Sequence, residues 1–186
     1  GWCLYPLFGA RNGTHSERTC TIRRIESFGP EFDHLWNTIS PKRCVAIAKT
    51  ASYLNWRYAR HPGNWYNILA AYRSGHLSGL AVLRKVPLRN QAFLLELLAE
   101  NDDPGVMAQL LDTGLKQMKT EGVASVTTSF LDSSPVKPLL EKTCFSTLPT
   151  RFWDMQMITE VPDNCPETPA NTVANWELSL GDWLLH

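Results

Sequence analysis

The sequence lacks an excess of charge of either sign. Lys and Arg together number 18, and so do Asp and Glu, which gives a formal net charge of zero at pH 7. No run of basic residues concentrates positive charge in one place. Because nucleic acids and anionic membrane surfaces attract clustered Lys and Arg, we expect neither as a partner. The sequence also has no apolar run long enough to span a bilayer.

Paired cysteines and metal-binding spacings are missing as well. The five cysteines are scattered, and no two have the Cys-x-x-Cys spacing of zinc knuckles or redox motifs. No Ser-His-Asp set or cluster of metal ligands is evident, so we expect no metal cofactor. The apolar opening Gly1–Ala10 has no basic leader. An odd cysteine count without a secretory signal indicates reduced thiols and a cytoplasmic protein.

Helical and strand patterns are present in one domain-sized stretch of a chain of 186 residues. Helical spacing begins at Pro30 and ends near Ile39, and a second short helix covers Ala51–Arg60. A long amphipathic helix follows Asp103. The remaining predicted elements are a short strand at Cys44–Ala48, a hairpin of Tyr66–Tyr72 with Leu77–Val86, a strand at Val123–Phe130, a helix at Pro135–Thr143, and strands at Arg151–Thr159 and Trp176–Leu180.

One apolar run identifies the centre of the predicted sheet. Ala92–Ala99 is apolar except for Glu96, which is the pattern of a strand covered on both faces. The helix between this strand and Val123–Phe130 implies a parallel pair, whereas the hairpin is antiparallel. We therefore predict an α/β (α+β) fold with a mixed, mostly antiparallel central sheet flanked by helices. Its predicted parts are an irregular lead-in over 1–29, the domain over 30–160, and a Pro-rich loop with a terminal strand over 161–186.

Two short motifs add a family resemblance to this order of elements. Ala51–Tyr58, which reads ASYLNWRY, is followed by His61-Pro62, and Trp176–Asp182 has the pattern W-x-L-x-x-GD. Over 30–160 the chain resembles the GNAT (acyl-CoA N-acyltransferase) superfamily. The motifs are similar to the C-terminal lobe of GNAT-like proteins associated with polysaccharide synthesis. The resemblance implies that Gly1–Ala10 is the remnant of a preceding lobe.

The resemblance also implies a co-substrate site for acetyl-CoA or another acyl-CoA. In this family the central strand parts from its neighbour, and the acyl-CoA arm enters the resulting cleft. The amides near Leu98 and Ala99 would then polarise the thioester carbonyl. The amides of the next helix N-terminus, at Gly105, Val106 and Met107, would hold the diphosphate.

The chain departs from the family pattern at both motifs of that site. Asp102 stands where the family has Gln or Arg, a second carboxylate follows at Asp103, and Met107 replaces a glycine. In the family's later Tyr-x-x-x-Gly-Phe motif, only Phe145 matches. Leu140 replaces the tyrosine that protonates the leaving thiolate, and Cys144 replaces the glycine.

Five residues are candidates for catalysis or acceptor binding, each with an ordinary alternative. Glu96 suits a general base, because a buried carboxylate has a raised pKa, and Glu100 shares this interpretation. The alternative is an ion-paired structural carboxylate. Trp56, Arg57 and Tyr58 would line an acceptor pocket, with Arg57 binding an anionic group. Alternatively, the two aromatic residues are core packing and Arg57 pairs with an acid.

Two functions remain open at this point. The first is an acyl-CoA-dependent N-acyltransferase that acts on an amine of a small molecule, sugar or peptide. The second is a catalytically silent GNAT-like lobe that packs against a second lobe and shapes its acceptor site. The departures at Asp102, Asp103, Met107 and Leu140 favour the second function, and the fold resemblance favours the first.

Overall fold

A mixed sheet of seven strands forms the centre of the protein. The computed structural model describes residues 2–7, 20–63, 66–86, 88–143, 145–147 and 175–183. The strands of this sheet are β1 (Trp2–Pro6), β2 (Thr21–Ile25), β4 (Tyr66–Arg73), β5 (His76–Lys85), β6 (Gln91–Ala99), β7 (Ser125–Ser129) and β8 (Ser146–Thr147), and their spatial order is β2-β4-β5-β6-β7-β1-β8. Among the described pairs of this sheet, only β6 and β7 are parallel.

Helices cover both faces of the sheet. On one face lie α1 (Glu31–Ile39) and α2 (Ala51–Leu54), and α2 continues as one turn of π-helix over Asn55–Ala59. The other face is covered by α3 (Pro104–Thr120), whose apolar side packs on β4, β5 and β6. The described helices end with α4 (Lys137–Lys142) and α5 (Leu180–Trp183). None of the helices in the described ranges has both the length and the apolar character needed to cross a bilayer.

The central prediction from the sequence is confirmed. β6 is the fourth of the seven strands, and its side chains are buried on both faces along most of its length. The hairpin also forms, with Ser74 and Gly75 at its tip in left-handed conformations (φ 51° and 84°). The mixed, mostly antiparallel sheet flanked by helices therefore agrees with the predicted fold class.

Within the predicted irregular lead-in over 1–29, the described residues include two strands, so the prediction is wrong for them. β1 pairs antiparallel with β7, from Trp2 opposite Ser129 to Pro6 opposite Ser125, and β2 pairs antiparallel with β4. Both strands are short, and the turn-forming residues between them dominate the local pattern. Their strand conformation comes from the partner strands of the sheet, which a local pattern does not show. The boundary placed at residue 30 therefore does not separate these residues from the sheet.

The predicted terminal strand is only partly correct. β3 (Val45–Ala46) pairs in parallel with β9 (Trp176–Glu177) in a separate two-stranded sheet, but the chain then turns into α5 at Leu180. Leu178 and Leu180 are buried, which explains the apolar alternation, but only Trp176–Glu177 is a strand. The predicted strand at Arg151–Thr159 and the predicted loop over 161–174 lie outside the described residues.

Candidate functional site

The central strand β6 parts from its parallel neighbour β7 one third of the way along its length. Pairing between β6 and β7 is confined to Gln91–Phe93 opposite Ser125–Thr127. At the next position, beyond the paired register, the Thr128 hydroxyl donates to the Leu94 carbonyl oxygen at 2.8 Å. On its other side β6 stays paired with β5 as far as Ala99 opposite Gly79. A gap therefore opens in the middle of the sheet, and one edge of β6 faces it.

A β-bulge lies on β6 beside this gap. Val82 of β5 is opposite Glu96 and Leu83 is opposite Leu94, so Leu95 is the extra residue on β6. A bulge re-aims the side chains next to it. Here the Glu96 side chain points to the face of the sheet that α1, α2 and the π-helix cover, where it contacts Tyr58.

Glu96 is the centre of a buried polar cluster. Its exposed fraction is 0%, and its two carboxylate oxygens have different partners. Oε1 accepts hydrogen bonds from Lys49 Nζ at 2.8 Å and from the Tyr58 hydroxyl at 2.6 Å. Oε2 accepts one from the Ser179 hydroxyl at 2.7 Å. Lys49 also forms an ion pair with Asp182. We call Lys49, Tyr58, Glu96, Ser179 and Asp182 the Glu96 cluster.

The electrostatics of the cluster follow from its burial. Removal from water raises the pKa of Glu96, and the neighbouring Lys49 ammonium offsets part of that rise. Burial alone would lower the pKa of Lys49, but the charges of Glu96 and Asp182 outweigh burial and raise it. Burial, together with the nearby Glu96 charge, raises the pKa of Tyr58 well above its ordinary value. Lys49 therefore stays an ammonium, and Tyr58 keeps its proton as a hydrogen-bond donor.

The π-helical turn positions the residues predicted to bind an acceptor. Arg57 and Tyr58 are both buried, and Arg57 donates from Nη2 and Nε to the Gly181 carbonyl oxygen at 3.0 and 3.3 Å. Trp56 points outward with 66% of its surface exposed. Turns of this kind occur often at functional sites. The structure thus brings Arg57 and Tyr58 to the Glu96 cluster and leaves Trp56 at the surface.

The segment 175–183 spans the gap between β6 and β7. Ser179 pairs with Phe130 just beyond the end of β7, and its hydroxyl bonds Glu96 on β6. Asp182 accepts from the Ser179 amide at 2.9 Å and holds the segment in a tight turn. A small cleft reaches the cluster beside the segment, and its lining includes Trp36, Arg43, Ile47, Lys49, Leu98 and Glu177.

The loop after β6 has its amide donors already bound. Asp103 caps α3 and accepts from the amides of Gly105 at 2.8 Å and Val106 at 3.2 Å. Burial alone would raise the pKa of Asp103, but these amides and Arg73, at 3.0 Å, hold it below its ordinary value. Asp102 forms an ion pair with Arg43. An incoming diphosphate would therefore compete with a carboxylate for these donors.

Replacing Asp103 with Ser should strengthen acetyl-CoA binding without loosening the helix. Serine is as good an N-cap as aspartate, so we expect the free energy of unfolding to change by less than about 1 kcal/mol. Removing the negative charge should lower the acetyl-CoA dissociation constant by about tenfold at low salt. Calorimetry checks the affinity, and urea unfolding checks the stability. Equal acetyl-CoA affinity of the variant and the unchanged chain would show that no diphosphate docks at this turn.

The other predicted site residues lie at or near the gap with different exposures. Leu98 lines the cleft on the α1 side, whereas Ala99 is buried in the core under α3. Val106 and Met107 also bury their side chains in that core, and their amides donate to the side chain and the carbonyl oxygen of Asp103. Glu100 is exposed at the start of the turn that follows β6. Across the described ranges no group of three or more His, Cys, Asp or Glu side chains is arranged to hold a metal ion.

Three members of the Glu96 cluster were not singled out from the sequence. Lys49 follows a short predicted strand, and nothing in its neighbours marks it as buried. Ser179 and Asp182 lie within the W-x-L-x-x-GD motif, which gave a family likeness but no role.

Solved structures with the same fold include acetyltransferases, one of them a putative acetyltransferase of the GNAT family from Desulfovibrio desulfuricans. The ribosomal-protein-S18-alanine N-acetyltransferase from Escherichia coli aligns with a TM-score of 0.53 at 17% identity, over 70% of this chain and 79% of that one. An aminoglycoside acetyltransferase from an uncultured soil metagenomic sample, solved in complex with sisomicin, aligns with a TM-score of 0.53 at 13% identity. The alignment covers 78% of this chain and 96% of that one. A Bacillus subtilis acetyltransferase solved in complex with CoA aligns with a TM-score of 0.52 at 15% identity. The alignment covers 75% of this chain and 89% of that one.

Sequence comparison gives no corresponding relative. No protein-family model matches the chain, and no curated protein matches it either. The structural likeness, at identities below one fifth, identifies the fold. The protein has the mixed α/β fold of the GNAT acetyltransferases, with a parted central strand pair and a buried carboxylate beside it.

Proposed function

We propose that this protein is an acyl-CoA-dependent N-acyltransferase that acts on an amine of a small molecule, sugar or peptide. The observation that carries the proposal is the gap between β6 and β7, which opens directly beside the bulge that presents Glu96. An extended, amide-bearing acyl-pantetheine arm can pair with the free edge of β6, as an added strand would. Acetyl-CoA is the simplest co-substrate of this class.

The chemistry assigns a role to each part of the site. The amine nitrogen attacks the thioester carbonyl carbon, the carbon–sulfur bond breaks, and the CoA thiolate leaves and takes a proton from solvent. A backbone amide on the free edge of β6, at Leu98 or Ala99, stabilises the carbonyl oxygen as charge develops on it. Glu96 accepts the proton that the amine loses, and Lys49 and Tyr58 hold its Oε1 so that Oε2 faces the acceptor.

Two observations support an amine as the acceptor: a solved structure with the same fold, and the charged lining of the cleft. The aminoglycoside acetyltransferase that has this fold was solved in complex with sisomicin. Carboxylates of Glu96, Glu177 and Asp182 line the cleft beside the gap, with Lys49 and Arg43 as their cationic partners. Such a mixed lining suits an amine that enters as an ammonium and is deprotonated on arrival.

The test is release of CoA thiol from acetyl-CoA. The protein is incubated with acetyl-CoA and, separately, an aminoglycoside, glucosamine and a short peptide with a free N-terminus, and free thiol is followed with time. We expect amine-dependent release above the hydrolysis rate with at least one acceptor class, and acylated product by mass spectrometry. No release with any class, together with no acetyl-CoA binding at millimolar concentration, would contradict the proposal.

The second candidate is a catalytically silent lobe, and one observation favours it specifically. Asp103 already occupies the amides of Gly105 and Val106, where the family resemblance places the diphosphate. Leu140 is buried in the core and supplies no acid for the leaving thiolate. In that case the protein would bind a second GNAT lobe and not acetyl-CoA. Calorimetry with acetyl-CoA separates the two candidates, because ligand binding to the folded chain stabilises it by mass action.

A further inference from the structure

We propose that the segment 175–183 is a self-inhibitory cover, which must leave the gap before acyl-CoA and acceptor can meet at Glu96. The proposal rests on the acyltransferase function above and adds a regulatory step to it. The segment lies across the mouth of the gap, with Ser179 beside Phe130 at the end of β7 and bonded to Glu96 on β6. A ligand arm that enters between the two strands would meet this segment.

The contacts of the segment with Glu96 cover the oxygen that catalysis requires. Lys49 and Tyr58 both bond Oε1, whereas the described donor to Oε2 is the hydroxyl of Ser179. Withdrawal of the segment would leave Oε1 held in place and Oε2 open to an incoming amine. The same residues that position the carboxylate therefore stay when the cover leaves.

Gly181 shows how closely the cover fits. A methyl group added at Gly181 would lie 2.5 Å from Oε1 of Glu96 and closer still to the Tyr58 hydroxyl oxygen. Both neighbours are buried and held by other bonds, so neither can move aside easily. Because Gly181 has no side chain, the segment can press its backbone directly against the cluster and exclude water and ligand from Glu96.

The cover is attached to the Glu96 cluster by polar bonds that water or a ligand can replace, and to the core by the buried side chains of Leu178 and Leu180. Asp182 forms an ion pair with Lys49, and Arg57 donates to the Gly181 carbonyl oxygen. The segment also forms one wall of the cleft, through Glu177, Ser179 and Asp182. Displacing that wall would join the cleft to the gap and create one continuous space above Glu96.

Two substitutions test the cover by different means. Gly181→Ala expels it by steric clash, and Asp182→Ala removes its ion pair with Lys49. Asp112→Ala is the matched control, because Asp112 is an exposed carboxylate on α3 that pairs only with Lys116 among the described contacts. Hydrogen–deuterium exchange of peptides covering 175–183 reports whether the segment is released, and calorimetry reports acetyl-CoA affinity.

The expected result is faster exchange of the segment in both release variants and acetyl-CoA binding at least about tenfold tighter than in the unchanged chain. The Asp112→Ala protein should match the unchanged chain in both measurements. Adding acetyl-CoA to the unchanged chain should also speed exchange of the segment, because the two compete for one place.

Each other outcome overturns the inference in a recognisable way. Suppose that the unchanged chain binds acetyl-CoA and that the two variants, with the segment released, bind it no more tightly. This result would refute the cover and leave the acyltransferase function standing. Released variants and an unchanged chain that all fail to bind acetyl-CoA would refute both. Exchange that stays slow in both variants would show that the segment is a fixed part of the core.

Discussion

Replacing Lys49 with Met should cost about 3–5 kcal/mol of the free energy of unfolding at pH 7. Lys49 is buried between Glu96 and Asp182, and its ammonium bonds both carboxylates. The substitution keeps the length of the side chain and removes the charge, which leaves two carboxylates close together away from water. Breaking a buried ion pair by removing one partner is costly because the remaining charge has no compensation. Urea unfolding at pH 7 measures the loss.

The loss should depend on pH in a defined direction. Without the ammonium, the pKa of Glu96, already raised by burial from its ordinary 4.5, rises further. The folded variant then keeps a proton that the unfolded chain releases above pH 4.5, so its stability is greatest near or below that pH and falls as pH rises. The difference between the variant and the unchanged chain should shrink when unfolding is repeated at pH 5.

Lys116→Met provides the control for this prediction. Lys116 is 62% exposed and pairs with Asp112 one helical turn away. An exposed pair of this kind contributes little, so the change should stay within about 0.5 kcal/mol. Equal losses for the two substitutions would show that the Glu96 cluster is not a desolvated ion-pair network.

Replacing Glu96 with Gln should lower turnover by about a hundredfold or more while acetyl-CoA affinity stays within about twofold. Glutamine keeps the size of the side chain and can still accept hydrogen bonds from Tyr58 and Lys49 at its amide oxygen. It cannot take the proton of the amine. The fold should survive, because Lys49 keeps Asp182 as an ionic partner. Steady-state thiol release and calorimetry on the same preparation separate the two effects.

Glu100→Gln is the matched control for Glu96→Gln. Glu100 lies four residues after Glu96, directly after β6, and it is exposed at the start of the turn that follows this strand. We expect its turnover to match that of the unchanged chain. A large loss of turnover in Glu100→Gln, with none in Glu96→Gln, would identify Glu100 as the general base. It would refute the role assigned to the buried Glu96 carboxylate.

The elements that the sequence predicted well are those whose partners are close along the chain. The hairpin of β4 and β5, the central strand β6 and the helix α3 all follow from patterns within about twenty residues of each other. β1 and β2 were missed because each takes its strand conformation from a distant partner, Ser125–Ser129 for β1 and Tyr66–Arg73 for β2. Pairing over such separations leaves no local periodicity to detect.

The same separation limited prediction of the site. Glu96 could be found because one carboxylate in an apolar strand is conspicuous. Lys49 and Ser179 could not, since they lie 47 and 83 residues from Glu96 along the chain and meet it only in the folded protein. Tyr58 was named as a candidate from the ASYLNWRY motif, but its bond to Glu96 depends on the π-helical turn, which the sequence pattern does not predict.

Amide exchange with and without acetyl-CoA tests most directly whether the parted strands hold the acyl donor. Bound acetyl-CoA should slow exchange at the amides of Leu95–Ala99 on β6 and at Gly105–Met107, while the outer strand β2 stays unchanged. Protection confined to other elements, or no protection at millimolar acetyl-CoA, would mean that the gap between β6 and β7 is not an acyl-CoA site.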